Sequence, residues 1–234
     1  WSDELLAPPE RTLLRQLSVF SGPFTLSDVE SVARLAETAG SIELSELALL
    51  ETLASLVTKN LVQVSDDAAD PAEPEYRMLE IIRAYAAERL AEAGETSSLR
   101  DRHMMYFTRL AEHWTSGLAS AQRDARLAQL DREYPNFRAA LEWAIQSRQG
   151  ESALRLVAAL WLYWDWRGFH AEGARWCDRV LAMDSSSDPA LLSSALYAGA
   201  AIAFMQANYA RSTELAEACL SSAEESADDA VIAR

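Results

Sequence analysis

The 234-residue chain has few residues that interrupt helices or form disulfides: 8 Gly, 7 Pro and 2 Cys. Ala, Leu, Glu and Arg dominate instead, and these residues lose little side-chain freedom in a helix. The two cysteines, Cys177 and Cys219, lack the dense spacing of a secreted disulfide scaffold. These absences favour an all-α fold in a reducing compartment, and we expect the protein to be cytoplasmic.

Features that would attach the chain to a membrane are also missing. No stretch of about 18 apolar residues could span a bilayer. No basic-then-apolar signal sequence opens the chain. The sequence therefore predicts no membrane partner.

Basic residues are scarce relative to acidic ones. Lys and Arg number 21 against 36 Asp and Glu, which gives a formal net charge of -15. Nucleic-acid affinity comes largely from Lys and Arg that displace counterions from phosphates, and an acidic surface is repelled at long range. From charge alone we expect no direct nucleic-acid contact.

Residue patterns for catalysis or metal binding are lacking. The three histidines, His103, His113 and His170, have no second ligand at helical spacing. The candidates for an acid–base pair are the carboxylates Asp131, Glu133 and Glu142. In so acidic a chain, such residues are more typical of the solvated surface of helices. We expect no enzyme activity, no metal and no cofactor in this chain.

The residues that are present predict a winged-helix module in positions 1–94. Apolar spacing indicates helices at 11–20, about 25–35, 45–59 and 79–93, with a β-hairpin formed by 61–64 and 75–78. Thr25 or Ser27 is predicted to cap the second helix. The inward face predicted for the third helix is Leu47, Leu50, Leu53, Ala54 and Val57.

Residues 95–234 predict helices throughout. Pro135 is expected to break a helix at 124–146, with Asn136 as the N-cap of the new helix. Two helical hairpins follow, at 151–183 and 191–225, and their turns are 39 residues apart. This period is typical of a solenoid. The expected fold class is mainly α, with the winged-helix module followed by an α-solenoid of tetratricopeptide-like hairpins.

Several stretches resemble bacterial STAND-type regulators, including AfsR-like and large LuxR-type proteins. They are YRMLEIIRAYA at 76–86, LSVFSGPF at 17–24, LVTKNLV at 56–62, LEWA at 141–144 and RGF at 167–169. In that family an NB-ARC-like ATPase core precedes a winged helix and tetratricopeptide repeats. The resemblance implies that ATP or ADP binds an upstream domain, because no phosphate-binding loop occurs in this chain.

The same resemblance points to a switch between domains. In relatives with a Met-His-Asp motif, the histidine contacts the phosphate of the bound nucleotide. Here Met78, Leu79 and Glu80 stand at that place, and leucine cannot donate a hydrogen bond. We expect these residues, Arg83 and the 65–74 tip to form the movable contact surface.

An aromatic cluster is the candidate surface for a ligand or protein partner. It consists of Trp161, Trp164, Asp165, Trp166, Arg167 and Trp176. Its rings either pack in the core or stack on a flat effector. Asp165 and Arg167 either orient a polar ligand or pair with each other.

Together these observations predict a non-catalytic regulatory fragment that couples nucleotide state to an effector or a protein partner. Its partners would be the upstream ATPase core and further repeats of the same polypeptide, since the chain opens at Trp1 without an initiator Met. One alternative is a small-molecule sensor that uses the aromatic cluster. The third is a DNA-binding winged helix, for which Lys59 and Asn60 are the plausible contacts.

Overall fold

The computed structural model describes residues 5–34, 46–65, 74–116, 123–183 and 188–232. These residues form two compact units, the first within 1–106 and 132–139, the second within 107–131 and 140–234. In chain order the elements are α1 (Pro8–Leu17), β1 (Phe24–Thr25), α2 (Leu26–Arg34), α3 (Glu46–Thr58), β2 (Gln63–Val64), β3 (Glu75–Arg77), α4 (Glu80–Glu92), α5 (Thr96–Thr115), α6 (Arg123–Gln146), α7 (Gly150–Arg167), α8 (His170–Leu181), α9 (Pro189–Met205) and α10 (Tyr209–Ile232).

The first two helices of the first unit agree with the predictions from sequence. Leu13, Leu14 and Leu17 of α1 are buried, so these leucines form its core face. Thr25 caps α2, because its hydroxyl accepts from the Asp28 amide at 3.2 Å while the Asp28 carboxylate accepts from the Thr25 amide at 2.7 Å. The prediction is therefore confirmed for Thr25.

A three-stranded antiparallel sheet lies in the first unit, in the order β1-β3-β2. Val64 of β2 faces Tyr76 of β3, which confirms the predicted hairpin, and Phe24 of β1 faces Tyr76 from the other side. The sequence missed β1, since two residues are too short to show an alternating pattern. The order α1-β1-α2-α3-β2-β3 is that of a winged-helix domain.

The predicted break at Pro135 is wrong. α6 runs from Arg123 to Gln146 with Pro135 inside it. Proline removes one helical hydrogen bond and normally costs about 3 kcal/mol in a helix interior. Tertiary bonds made by the next residue, Asn136, hold this stretch of helix in place, so Asn136 is an interior residue and its predicted N-cap role is also wrong.

In the second unit α9 and α10 form an antiparallel helical hairpin. The Ser222 hydroxyl donates to the Pro189 carbonyl at 2.8 Å, and the Ser212 hydroxyl donates to the Ala200 carbonyl at 3.0 Å. Contacts near the start of one helix thus involve the end of the other. Helical segments follow the winged-helix domain as predicted, and the fold is mainly α.

Close packing joins α7, α8 and α9 at Gly173. A Cβ placed there would lie 2.8 Å from Ile202 Cδ1 and 2.9 Å from Trp164 Cε3. Only glycine leaves room for this approach. Trp164 is consequently buried in the core of the second unit.

Candidate functional site

The helix α3 exposes one continuous face in the first unit. Leu47 is 64% exposed and Leu50 is 42% exposed. The same face carries Glu51, Ala54 and Thr58 at helical spacing, all exposed. The outer surface of α3 is therefore largely apolar, with one carboxylate and one hydroxyl.

The predicted inward face of α3 is wrong in most of its positions. Leu49, Leu53 and Leu56 are the buried leucines, so of the residues predicted to be buried only Leu53 is. The helix has leucines on both faces, and apolar periodicity alone therefore cannot fix its rotation.

Lys59 follows α3 and binds a buried carboxylate. Its Nζ lies 2.6 Å from both carboxylate oxygens of Glu10, and the Ser55 hydroxyl donates to the same carboxylate at 2.5 Å. These hydrogen bonds lower the pKa of Glu10 to about 2, and the bond from Lys59 has the largest effect. The next residue, Asn60, is exposed with a φ of 56°. Lys59 thus fixes the end of α3 on α1 and keeps part of its charge at the surface.

The hairpin β2–β3 corresponds to the wing of such a domain. Arg77 is exposed on β3, opposite Gln63. Glu75 is almost fully buried and pairs with Arg132 at 3.1 Å. Most of the predicted 65–74 tip, namely 66–73, lies outside the described residues. Arg77 is the cation that the described part of the wing presents outward.

Asn136 holds the turn that connects α1 to β1. Its Oδ1 accepts from the amides of Ser21 at 2.8 Å and Gly22 at 3.1 Å, and its Nδ2 donates to the Pro23 carbonyl at 3.0 Å. The side chain is completely buried. A Cβ on Gly22 would lie 3.2 Å from Pro135 Cβ, so the turn and α6 approach closely.

One buried carboxyl group accepts from this amide, and a second buried carboxyl group acts electrostatically on the first. Asn136 Nδ2 also donates to Glu133 at 2.7 Å, and Asp28 accepts from the Tyr106 hydroxyl. Burial, and then the charge of Asp28, raise the pKa of Glu133 to about 8. Glu133 is therefore protonated and neutral at pH 7, not the solvated surface carboxylate that the sequence suggested.

His103 lies in the core of the first unit. Its ring is 5.5 Å from that of Phe20 in an edge-on arrangement, and burial lowers its pKa to about 3. The imidazole is thus neutral at physiological pH. Among the described residues no group of three or more His, Cys, Asp or Glu side chains could hold a metal ion.

The predicted switch residues lie around the start of α4. Leu79 precedes the helix and is 45% exposed, and the neighbouring Ile81 is 80% exposed. Arg83 donates to the Glu80 carboxylate at 2.6 and 3.0 Å, and this lowers the pKa of Glu80. Met78 is half-buried. The structure places these four residues together, and their switching role stays a prediction.

The aromatic cluster does not share one environment. Trp164 is fully buried, whereas the ring of Trp161 meets Tyr197 edge-on at 5.4 Å. Trp166 is exposed beneath the guanidinium of Arg123 at 4.1 Å, and Trp176 lies under that of Arg179 at 4.8 Å. The ligand or partner surface therefore stays a prediction.

The two charged members of the cluster do not pair with each other. Arg167 binds the Asp131 carboxylate in a two-pronged ion pair, at 3.0 and 2.5 Å, and the Tyr163 hydroxyl donates to the same group at 2.9 Å. Asp165 lies 3.1 Å from the ring nitrogen of His170. The alternative in which Asp165 and Arg167 pair with each other is therefore wrong.

Both cysteines are free, and Cys177 is buried. Burial raises the pKa of its thiol to about 12. The described residues also contain no helix that combines the length and the apolar character required to cross a bilayer.

Comparison with known proteins agrees with the winged-helix order. Residues 6–91 match the family described as winged helix-turn-helix domain. Two curated proteins, one from Mycobacterium tuberculosis H37Rv and one from Mycobacterium bovis, carry the name "Putative HTH-type transcriptional regulator". Each is 35% identical over 181 residues, which is 77% of this chain and 19% of the relative. No solved structure gives a significant match.

The chain thus spans about a fifth (19%) of the length of the curated relatives it matches. A further relative, an uncharacterised protein of M. tuberculosis, is 35% identical over 103 residues, which cover 44% of this chain and 24% of that protein. The relatives are bacterial.

The expectation of no direct nucleic-acid contact is wrong. A winged helix-turn-helix domain at 6–91 and relatives named as HTH-type regulators both point to DNA binding. The expectation came from the net charge of the whole chain, and net charge does not report the few contacts that one helix and one wing make.

Proposed function

We propose that this chain is part of a bacterial transcriptional regulator and that its winged-helix domain contacts DNA. The observation that carries the proposal is the complete α1-β1-α2-α3-β2-β3 order within the matched residues 6–91. In such domains the third helix enters the major groove and the flanking elements contact the backbone. The regulator role accords with a non-enzymatic chain.

The described residues suit an interface with few charges. Ala54 and Thr58 lie on the outer face of α3, where apolar groups can contact thymine methyls. The Thr58 hydroxyl donates to the Ala54 carbonyl at 3.0 Å, which leaves its oxygen able to accept from a base. Lys59 and Arg77 are the cations near this face and on the wing. Two phosphate contacts release few counterions, so affinity is weak and only mildly salt-dependent.

The test is selection from a random duplex pool followed by anisotropy titrations at several salt concentrations. We expect enriched sequences and a slope of about -2 in log K against log salt, from two phosphate contacts. Arg77→Gln should reduce that slope by about one, because it removes one contact. Arg175→Gln, an exposed arginine of α8, is the matched control and should change nothing.

Two results would refute the DNA proposal. One is a selection that enriches no DNA sequence, together with DNA binding that does not depend on salt concentration. The other is an equal effect of Arg77→Gln and Arg175→Gln on binding.

A second candidate is coupling to another part of a longer protein, as the STAND resemblance implies. Leu47 and Leu50 on α3 and Leu79 and Ile81 at α4 are large, exposed and apolar. DNA phosphates make no use of such side chains, whereas a protein surface does. In this proposal ATP or ADP binds an upstream ATPase core, and the α7–α10 helices are tetratricopeptide-like hairpins that carry the signal onward.

This candidate is tested in the intact protein by protease protection with ADP and with an ATP analogue. We expect α3 to be cut at different rates in the two states, and Leu47→Glu with Leu50→Glu to abolish the difference. Leu220→Glu in α10, equally exposed, serves as the control. Identical cleavage in both nucleotide states would contradict the coupling.

A further inference from the structure

A groove of about 480 Å³ lies between α1 and α4 in the first unit. Leu14 and Ala86, both buried, form apolar parts of its lining. Three arginines also line it, Arg11 and Arg15 from α1 and Arg89 from α4. Arg11 and Arg15 are four residues apart and therefore lie on one face of their helix.

The arginines are not fully neutralised. Arg15 donates to both oxygens of Glu95, at 2.8 and 3.0 Å, and Arg89 pairs with Glu92 at 2.6 Å. Arg11 has no ion pair or hydrogen-bonding partner for its side chain in the part of the chain that the structure describes. Three guanidinium groups against two carboxylates leave one positive charge in a chain whose net charge is -15.

Arg89 also has an unused donor. Its Nε is buried and has no hydrogen-bond acceptor among the described residues, while its guanidinium lies 5.3 Å from the centre of the Tyr85 ring. A buried donor without an acceptor carries its desolvation cost uncompensated.

We propose that this groove between α1 and α4 binds a small phosphate-bearing anion. Guanidinium groups present paired donors that match phosphate oxygens, and the side-chain donors of Arg11 have no acceptor among the described residues. The volume falls within the roughly 300–1,000 Å³ of small-molecule sites. The proposal is independent of DNA binding, since it concerns neither the outer face of α3 nor the wing.

Calorimetric titration of the whole chain with inorganic pyrophosphate at low ionic strength tests the site. Arg11→Gln is the clean variant, because this side chain makes no ion pair among the described residues whose loss would disturb the fold. Removing one charged donor should weaken binding about tenfold or more. Arg89→Gln should do the same.

A change of opposite sign separates binding from a merely structural role. Glu92→Gln removes the carboxylate that competes for Arg89, so pyrophosphate should bind more tightly to this variant. Arg175→Gln, an exposed arginine of α8 outside the groove, should leave the Kd unchanged. A parallel titration with AMP distinguishes the source of the phosphate, since tighter binding than pyrophosphate identifies a nucleotide and equal or weaker binding an inorganic anion.

The proposal is overturned if no pyrophosphate binding is detected up to about 1 mM, a free energy near -4 kcal/mol. It is equally overturned if Arg11→Gln and Arg175→Gln bind pyrophosphate with the same Kd.

Discussion

Replacing Asn136 with Ala should destabilise the first unit by about 4 kcal/mol. The substitution leaves the amides of Ser21 and Gly22, the Pro23 carbonyl and the Glu133 carboxyl without the partner they have now. Each polar group buried without a partner costs roughly 1–3 kcal/mol, and partial access of water to the turn reduces the sum.

The distribution of tryptophan makes this measurement specific. All tryptophans after Trp1 lie in residues assigned to the second unit, whereas helical circular dichroism reports both units. Asn136→Ala should move the dichroism transition to lower denaturant while tryptophan fluorescence changes little. Gln146→Ala, an exposed position of the same helix, should cost under about 0.5 kcal/mol. Equal stability of the two variants would show that the Asn136 bonds do not hold the turn.

Replacing Glu133 with Gln should stabilise the protein at pH 8 and have little effect at pH 5. The pKa of Glu133 rises from 4.5 to about 8 on folding, so the folded state binds more protons than the unfolded state between these values. Stability from this group is fully present below pH 4.5 and is lost as the pH rises to about 8. The loss is on the order of 3–5 kcal/mol, at about 1.4 kcal/mol for each unit of pKa.

Denaturant titrations at pH 5, 6.5 and 8 measure the effect. Glutamine stays neutral, so Glu133→Gln should flatten the pH dependence of the free energy of unfolding. The Asn136 amide can still donate to the Gln side-chain oxygen, which preserves the bond seen at 2.7 Å. Glu142→Gln is the control, since hydrogen bonding from Arg179 lowers the pKa of that carboxyl. Parallel pH curves for the wild type and Glu133→Gln would contradict the assignment.

Local patterns predicted the elements well where one face is clearly apolar. Apolar spacing predicted a helix at 11–20, and Leu13, Leu14 and Leu17 form the buried face of α1. The helix predicted at 79–93 corresponds to α4, and Gly94 follows it with a φ of 71°, which suits glycine. Such features depend on neighbours in sequence, so a single chain reveals them.

The errors share a physical origin in distant contacts. Asn136 bonds to Ser21 across 115 positions, and nothing near Asn136 indicates that partner. Proline normally interrupts a helix, but tertiary hydrogen bonds that the local sequence does not reveal keep Pro135 inside α6. In the same way, the burial of Glu133 beside Asp28 comes from packing, while the local sequence shows only one more acidic residue.

The contribution of residues 132–139 to the first unit bears on how the protein can be dissected. A truncation after Gly94 would keep every strand and helix of the winged order yet delete the amide that closes the turn before β1. The smallest autonomously folding segment for genetic or biophysical work should extend through Ala139. The residues that form the winged-helix elements therefore end at Gly94, whereas the residues that stabilise these elements extend to Ala139.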